Sequence, residues 1–128
     1  MGGQGEIMQQ ASLQWLFYSD FNRKFLFIMI LELADIQILP GKQTEFDSAI
    51  VNGVQNVISK AKGFRGYKIH KGIESPDRYV LMVFWDTLEN HTVDFRGSEL
   101  FTQWRGIVGP FFATPPKVEH FDLLSKSD

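Results

Sequence analysis

Three histidines are the residues of this sequence best suited to proton transfer near neutral pH. His91 lies on a predicted helix, where spacings of three and four residues place it on the same side as Leu88 and Phe95. That side faces the predicted sheet, so His91 is either a satisfied core histidine or a general base. His70 and His120 lie on predicted strands and are interpreted as structural residues. The spacing of the three histidines does not match a known metal-binding motif.

Aromatic and basic side chains supply the second group of candidates. The 128 residues include 12 Phe, 3 Trp and 3 Tyr, which predicts an aromatic-lined cavity or interface in addition to the core. Trp85 ends the most apolar segment and Trp104 lies on the last predicted helix, and each is typical either of a core or of a pocket wall. Arg78, Arg96 and Arg105 are either solvated surface residues or partners of an anion.

Several functional classes are excluded or disfavoured. There is no cysteine, which excludes a thiolate nucleophile, thiolate zinc sites and iron–sulfur clusters. The formal net charge of −2 disfavours nucleic-acid binding. No phosphate-binding loop, dinucleotide glycine motif, His-Glu-x-x-His or Gly-x-Ser-x-Gly is present.

Neither a membrane span nor an export signal is predicted. The longest apolar run covers residues 25–31 and is too short to span a membrane, which takes about 20 residues. No small-residue cleavage site follows it. We therefore expect no membrane partner and a cytoplasmic location.

The elements that must position these residues follow from apolar periodicity and turn residues. From residue 27 onward the pattern alternates between strand and helix in the order β-α-β-β-α-β. This is a ferredoxin-like α+β fold, a four-stranded antiparallel sheet with helices on one face. The predicted strands cover 27–38, 64–73, 78–85 and 117–124, and the helical segments cover 42–62, 87–95 and 98–108.

The third predicted strand is apolar on both faces. Val80, Met82 and Phe84 alternate with Tyr79, Leu81, Val83 and Trp85. An apolar sheet face of this size is rarely left exposed in a monomer. We therefore expect a homodimer in which two sheets pack face to face.

Residues 1–28 differ from the rest of the chain. A polar Gly-rich stretch precedes Leu13, Phe17, Phe21 and Phe25, which recur every four residues and predict a helical stripe. The segment is either a functional helix or an extension upstream of a start at Met29, and the second is favoured. Residues 29–124 are then the domain, and 125–128 form a polar tail.

Several short segments resemble the antibiotic biosynthesis monooxygenase (ABM) domain family. They are the run from Trp85 to Phe101, Gly63-Phe64 at the second strand, residues 75–79 before the third strand, and residues 118–121 in the last strand. The resemblance extends from about Met29 to Leu124. It implies a dimeric α/β barrel in which each subunit holds a cavity between its sheet and helices.

The resemblance also implies a chemistry. Monooxygenases of this group oxidise polycyclic phenols or quinols with molecular oxygen as co-substrate and without metal, flavin or haem. An electron-rich phenolate can itself pass an electron to oxygen, so the protein must bind the ring, deprotonate it and exclude water.

The match of individual site residues is mixed. Trp85 matches a pocket tryptophan of the characterised polyketide monooxygenases, and Arg105 approximates their pocket arginine. His91 stands where those enzymes carry a tyrosine, and Leu81 stands where they carry an asparagine. The haem-degrading branch uses an asparagine and a histidine, and Ala34 and Arg105 stand at those positions here. This departure argues against haem degradation.

The sequence thus favours a cofactor-independent monooxygenase acting on a small aromatic compound. His91 is the predicted base or hydrogen-bond donor. Trp85, Phe95 and Trp104 are predicted to contact the substrate, and Arg105 or Arg78 to stabilise an anionic oxygen. Two alternatives stay open, namely a non-catalytic ligand-binding or stress-response dimer and an oxidoreductase that handles quinols and quinones.

Overall fold

A computed structural model describes residues 29–127 of the chain. The predictions for residues 1–28 lie outside this range. The described elements are β1 (Ile30–Gln37), α1 (Gln43–Asn56), β2 (Phe64–Lys71), β3 (Arg78–Trp85), α2 (Glu99–Val108) and β4 (Lys117–Asp122), with a π-helix (Asn90–Phe95) and short 3₁₀ turns at Ile58–Lys60 and Gly109–Phe111.

The four strands form one antiparallel sheet in the order β2-β3-β1-β4. This order confirms the predicted ferredoxin-like fold. Residues at alternate strand positions point to the same face of a sheet. In β1 these positions separate Glu32, Ala34 and Ile36, which are buried, from Leu31 and Leu33, which are half-buried.

Two helices cover the buried face of the sheet. Phe46, Ile50 and Val54 of α1 are fully buried against it, as is Val108 of α2. The helices meet at Gly53, where an added Cβ would lie 2.8 Å from the Trp104 ring. Glycine is therefore what allows this close approach between α1 and α2.

The first helix is shorter than the predicted 42–62. It ends at Asn56 because Val57 leaves helical geometry, with φ at −122° and ψ at −66°. A 3₁₀ turn follows and buries Ile58. Apolar spacing alone does not distinguish this turn from a continued helix, because Val57 and Ile58 are buried in either case.

The segment after β3 begins as predicted, with Thr87 at its start. The Thr87 hydroxyl accepts a hydrogen bond from the Asn90 backbone N–H, and the Asn90 side-chain oxygen accepts one from the Thr87 N–H, each at 3.1 Å. This reciprocal pair is a capping box. Gly63, with φ at +84°, leaves room for the Asn90 side chain.

Residues 90–95 then form a π-helix and not the predicted α-helix. The Arg96 N–H donates to the His91 carbonyl, a step of five residues. The wider turn alters which side chains share a side, so Leu88 is 40% exposed while His91 is 3% exposed. The prediction that Leu88 shares the buried side of His91 is therefore wrong.

Ser98 lies at the N-cap position of α2 as predicted, but its side chain makes no capping hydrogen bond. The Ser98 hydroxyl donates instead to the Phe95 carbonyl at 2.7 Å. This contact closes the preceding turn. Within residues 29–127, no helix is long and apolar enough to cross a membrane.

Candidate active site

A cavity of about 1010 Å³ opens between the sheet, α2 and the segment that leads to β4. Aromatic and aliphatic side chains form most of its wall, and Glu32, His91, Arg96 and Arg105 supply its ionisable groups. Apolar walls with a few converging polar groups are the usual composition of a small-molecule site.

Glu32 is the carboxylate of this cavity, and β1 places it there. It occupies an inward position of the strand, in phase with Ala34 and Ile36, and is only 7% exposed. The Trp85 indole N–H donates to its Oε1 atom at 2.9 Å. Pairing of β1 with β4 sets Glu32 directly opposite His120.

His91 is held beside Glu32 by aromatic stacking. Its ring stacks on Trp85 with centroids 5.4 Å apart, and on Phe95 with centroids 6.0 Å apart. Its Nε2 atom lies 3.3 Å from Glu32 Oε1. These contacts fix the plane of the imidazole and leave it little freedom to turn.

His120 completes a line of three ionisable side chains. Its Nε2 atom lies 2.8 Å from His91 Nδ1, which is hydrogen-bonding distance, so one nitrogen of the pair carries the shared hydrogen. His120 was interpreted as structural, but strand register brings it into the site. His70 lies on β2 opposite Val80, on the other face of the sheet, and is exposed.

The environment keeps both histidines uncharged near neutral pH and brings the titration of Glu32 into that range. Burial raises the pKa of Glu32 to about 7, although the Trp85 hydrogen bond and the charge of Arg96 act in the opposite direction. Burial, together with Arg96 and His120, lowers the pKa of His91 to about 3. The pKa of His120 is lowered by burial and by Arg96. His91 is therefore neutral beside a carboxyl group that titrates near pH 7, so the two do not form an ion pair.

The other predicted site residues fall into two groups. Phe95, Trp104 and Arg105 line the cavity as expected, and Arg105 lies over the Phe101 ring at 5.8 Å. Trp85 is fully buried behind Glu32 and His91, so it supports these groups and does not form the wall.

Arg78 lies away from the cavity, on the opposite face of the sheet. Its guanidinium makes two hydrogen bonds to the Asp35 carboxylate, at 2.9 and 2.8 Å. Strand alternation explains this position, because Arg78 is out of phase with the buried Tyr79 and Leu81. The arginine that acts on the ionisable cluster is Arg96 instead.

Glu32 was missed as a site residue, although the sequence contains a signal. It is a carboxylate at an inward position of a strand whose other inward residues are apolar, and such a position rarely holds an unpaired charge. Its proximity to His91 and His120 could not be read from the sequence, because the three are separated by 59 and 29 residues along the chain. Within residues 29–127, no group of three or more His, Asp or Glu side chains is arranged to hold a metal ion.

The fold and sequence both place the chain among known proteins. The sequence model of the antibiotic biosynthesis monooxygenase family matches residues 29–106. The chain belongs to this family. YczJ, an uncharacterised protein of Bacillus subtilis, is 37% identical over 93 residues, which cover 73% of this chain and 97% of YczJ.

Solved structures agree with this assignment. A Bordetella bronchiseptica protein, provisionally named an antibiotic biosynthesis monooxygenase, is 40% identical and superposes with a TM-score of 0.72 over 76% of this chain and 98% of its own. A Streptomyces coelicolor monooxygenase, solved with the ligand nanaomycin D, has a TM-score of 0.66 at 17% identity, over 78% of this chain and 91% of its own. At that identity the second likeness concerns the fold alone.

Proposed function

We propose that this ABM family protein is a monooxygenase that oxidises a small phenolic or quinol-like compound with O₂ and without a metal, flavin or haem. The observation that carries the proposal is the contact between Glu32 and His91 in the wall of an aromatic-lined cavity. Such a pair supplies a base of suitable pKa in a place from which water can be displaced.

The reaction balances without an added reductant. The phenol O–H bond breaks, its proton passes to the Glu32–His91 pair, and the electron pair stays on the phenolate oxygen. The phenolate then passes electrons to O₂, and one oxygen atom bonds to ring carbon. For a phenol with a free ring C–H, the sum is phenol plus O₂ giving quinone plus water, so the substrate supplies all four electrons.

The cavity residues divide the remaining work. Phe95 and Trp104 contact the aromatic ring, which favours flat apolar substrates. Arg96 and Arg105 place two cations at the cavity, and neither makes an ion pair with a carboxylate among the described residues. They stabilise negative charge as it develops on the substrate oxygens.

Oxygen uptake by purified, chelator-treated protein tests the proposal directly. The substrates are hydroquinones, naphthols and anthrone-like phenols, and the expected result is one O₂ consumed per quinone formed. Label from ¹⁸O₂ is expected in the quinone. Uptake that chelator abolishes, or a product without label, would contradict the proposal. Thermal stabilisation by these compounds with no uptake would support the ligand-binding alternative.

We further propose that the protein acts as a homodimer joined through the open face of its sheet. This face carries six half-buried or exposed apolar side chains, namely Leu31, Leu33, Val80, Met82, Phe84 and Phe121. Strand pairing makes them neighbours, since Leu31 lies opposite both Phe84 and Phe121. A symmetric contact between two copies would remove the apolar patches of both subunits from water.

A further inference from the structure

The two nitrogens of the His91 ring both face protein groups, and the Nδ1 atom is hydrogen-bonded. Nε2 faces Glu32 Oε1 at 3.3 Å, and Nδ1 faces His120 Nε2 at 2.8 Å. A general base must reach the proton it removes with a free lone pair. The Nδ1 lone pair or hydrogen is engaged by His120, and a substrate at Nε2 would lie against Glu32, whose carboxylate is the stronger acceptor.

Glu32 has a carboxylate oxygen that contacts neither Trp85 nor His91. Its Oε1 accepts from Trp85 and faces His91, whereas its Oε2 makes no hydrogen bond with any described residue. Within residues 29–127, no buried side-chain oxygen or nitrogen lacks a hydrogen-bond partner, so Oε2 is accessible. Because Glu32 lines the cavity, that access is from the cavity.

His120 provides the other end of the line. It lies on β4, an edge strand, and is half-buried. Its Nδ1 atom makes no hydrogen bond with a described residue, so by the same reasoning Nδ1 is open to solvent. The three side chains thus connect the cavity with the edge of the sheet.

We propose that Glu32 removes the substrate proton through Oε2, and that His91 and His120 conduct this proton to solvent. The inference rests on the proposed function for the identity of the proton donor. It assigns the catalytic contact to Glu32 and a positioning and relay role to the two histidines.

The proton transfer can be written atom by atom. The substrate O–H bond breaks and an Oε2–H bond forms on Glu32. A half-turn of the carboxyl group brings that O–H to His91 Nε2, which takes the proton while His91 Nδ1 passes its own to His120 Nε2. The proton on His120 Nδ1 leaves to water. Each group ends with the number of protons it had at the start.

The charges around Glu32 suit this role. Trp85 and Arg96 favour its ionised form and burial opposes it, with a pKa of about 7 as the outcome. The neutral rings of His91 and His120 add no charge at neutral pH. Glu32 is therefore ionised often enough to accept a proton and basic enough to hold it.

Paired ligands test the contact with Glu32 without turnover. In the methyl ether of β-naphthol a methyl group replaces the hydroxyl hydrogen, so the ether cannot donate a hydrogen bond or a proton. Above pH 7 and under nitrogen, we expect wild type to bind the naphthol roughly tenfold or more tightly than the ether. In Glu32→Gln this preference should fall several-fold, because the neutral amide is a weaker acceptor. Equal preference in both proteins would overturn the role of Glu32.

NMR titration tests the relay without any ligand. As pH crosses 7, the Glu32 carboxyl ¹³C signal and the ring ¹⁵N signals of His91 and His120 should move with one midpoint. In Glu32→Gln this common step should vanish from the signals of both histidines. Histidine ¹⁵N signals that do not move with the titration of Glu32 would overturn the relay, even if the naphthol result supports the role of Glu32.

Kinetics separates a relay from mere packing. The assay uses a compound that the protein oxidises. His120→Gln should slow its turnover, and the turnover rate of this variant should increase with the concentration of imidazole buffer. His70→Gln should turn over at the wild-type rate. Slow turnover that buffer does not rescue would overturn the conducting role of His120. If the protein prefers the naphthol and the three groups titrate together, but no oxygen is consumed, the proton relay is supported and the monooxygenase proposal is contradicted.

Discussion

At the scale of single residues, the pKa of Glu32 links the site to stability. Its pKa is about 7 in the folded protein against 4.5 for an unperturbed glutamate, so the folded state holds the proton more tightly. The stabilisation is complete below pH 4.5 and is lost as pH rises through 7. We expect the free energy of unfolding of wild type, relative to Glu32→Gln, to fall by on the order of 3 kcal/mol over this window.

Denaturant unfolding of both proteins between pH 4 and 8 measures this difference. His91 acts in the opposite direction, since its lowered pKa makes stability rise with pH between about 3 and 6.5. In wild type between pH 4.5 and 6.5, the effect of Glu32 lowers the free energy of unfolding as pH rises, while the effect of His91 raises it. Glu32→Gln should therefore show the rise alone, and parallel curves for the two proteins would show that Glu32 is not perturbed.

Arg96 is the charge that acts on all three members of the cluster. Its guanidinium lowers the pKa values of Glu32, His91 and His120. Arg96→Gln should raise the pKa of Glu32 by about one unit or less, measured by ¹³C NMR. Arg105→Gln is the matched control, because Arg105 lines the cavity without acting on these groups. Equal shifts in both variants would contradict the assignment.

At the scale of elements, the contact between α1 and α2 depends on a missing side chain. A Cβ at Gly53 would lie 2.8 and 2.9 Å from two carbons of the Trp104 ring, whereas a Cβ at Gly106 meets nothing within 4 Å. We expect Gly53→Ala to destabilise by about 1–2 kcal/mol through overpacking. Gly106→Ala should stabilise by about 0.5–1 kcal/mol through helix propensity.

Urea unfolding of the two alanine variants provides the comparison. Both substitutions place alanine inside a helix, so the intrinsic gain is shared and the contact with Trp104 accounts for the difference. Equal stability of the two variants would mean that the helices separate without cost.

The elements themselves were largely predictable from the sequence. Apolar periodicity and the turn residues between elements suffice for the order of the four strands and of the helices α1 and α2. The π-helix was not predictable, because the spacing from His91 to Phe95 also fits an α-helix. Tertiary packing decides it, as the His91 ring reaches Trp85 and Phe95 together.

The site was predictable only in part. His91 was identified from its residue type, and the register that sets Glu32 opposite His120 depends on strand pairing over 88 residues of chain. Arg78 was assigned to the cavity by residue type alone, although its phase in β3 places it with Val80 and Met82 on the open face. At Arg78, strand alternation predicts the position of the side chain correctly, whereas residue type alone does not.

At the scale of the whole molecule, the open sheet face predicts how copies associate. Met82→Glu places a carboxylate among apolar side chains of that face, and burying it in a dimer interface without a partner is costly. We expect the dimer dissociation constant to rise at least about a hundredfold, measured by analytical ultracentrifugation.

Val93→Glu is the control for this prediction. Val93 is 62% exposed and lies on the π-helix, away from the sheet face. This variant should associate as wild type does. Dimers that survive Met82→Glu, or that dissociate equally in both variants, would place the interface elsewhere.

The π-helix has a consequence for how this molecule can change over evolutionary time. A π-turn contains one residue more than the α-turn it replaces, so deleting one residue between Thr87 and Ser98 restores ordinary helical geometry. Side chains within the turn would change direction, while the flanking strand and helix would keep their places. Chain length, and not only residue identity, therefore determines whether an imidazole faces Glu32. Two relatives with the same fold and the same histidine can differ in chemistry through a single deletion.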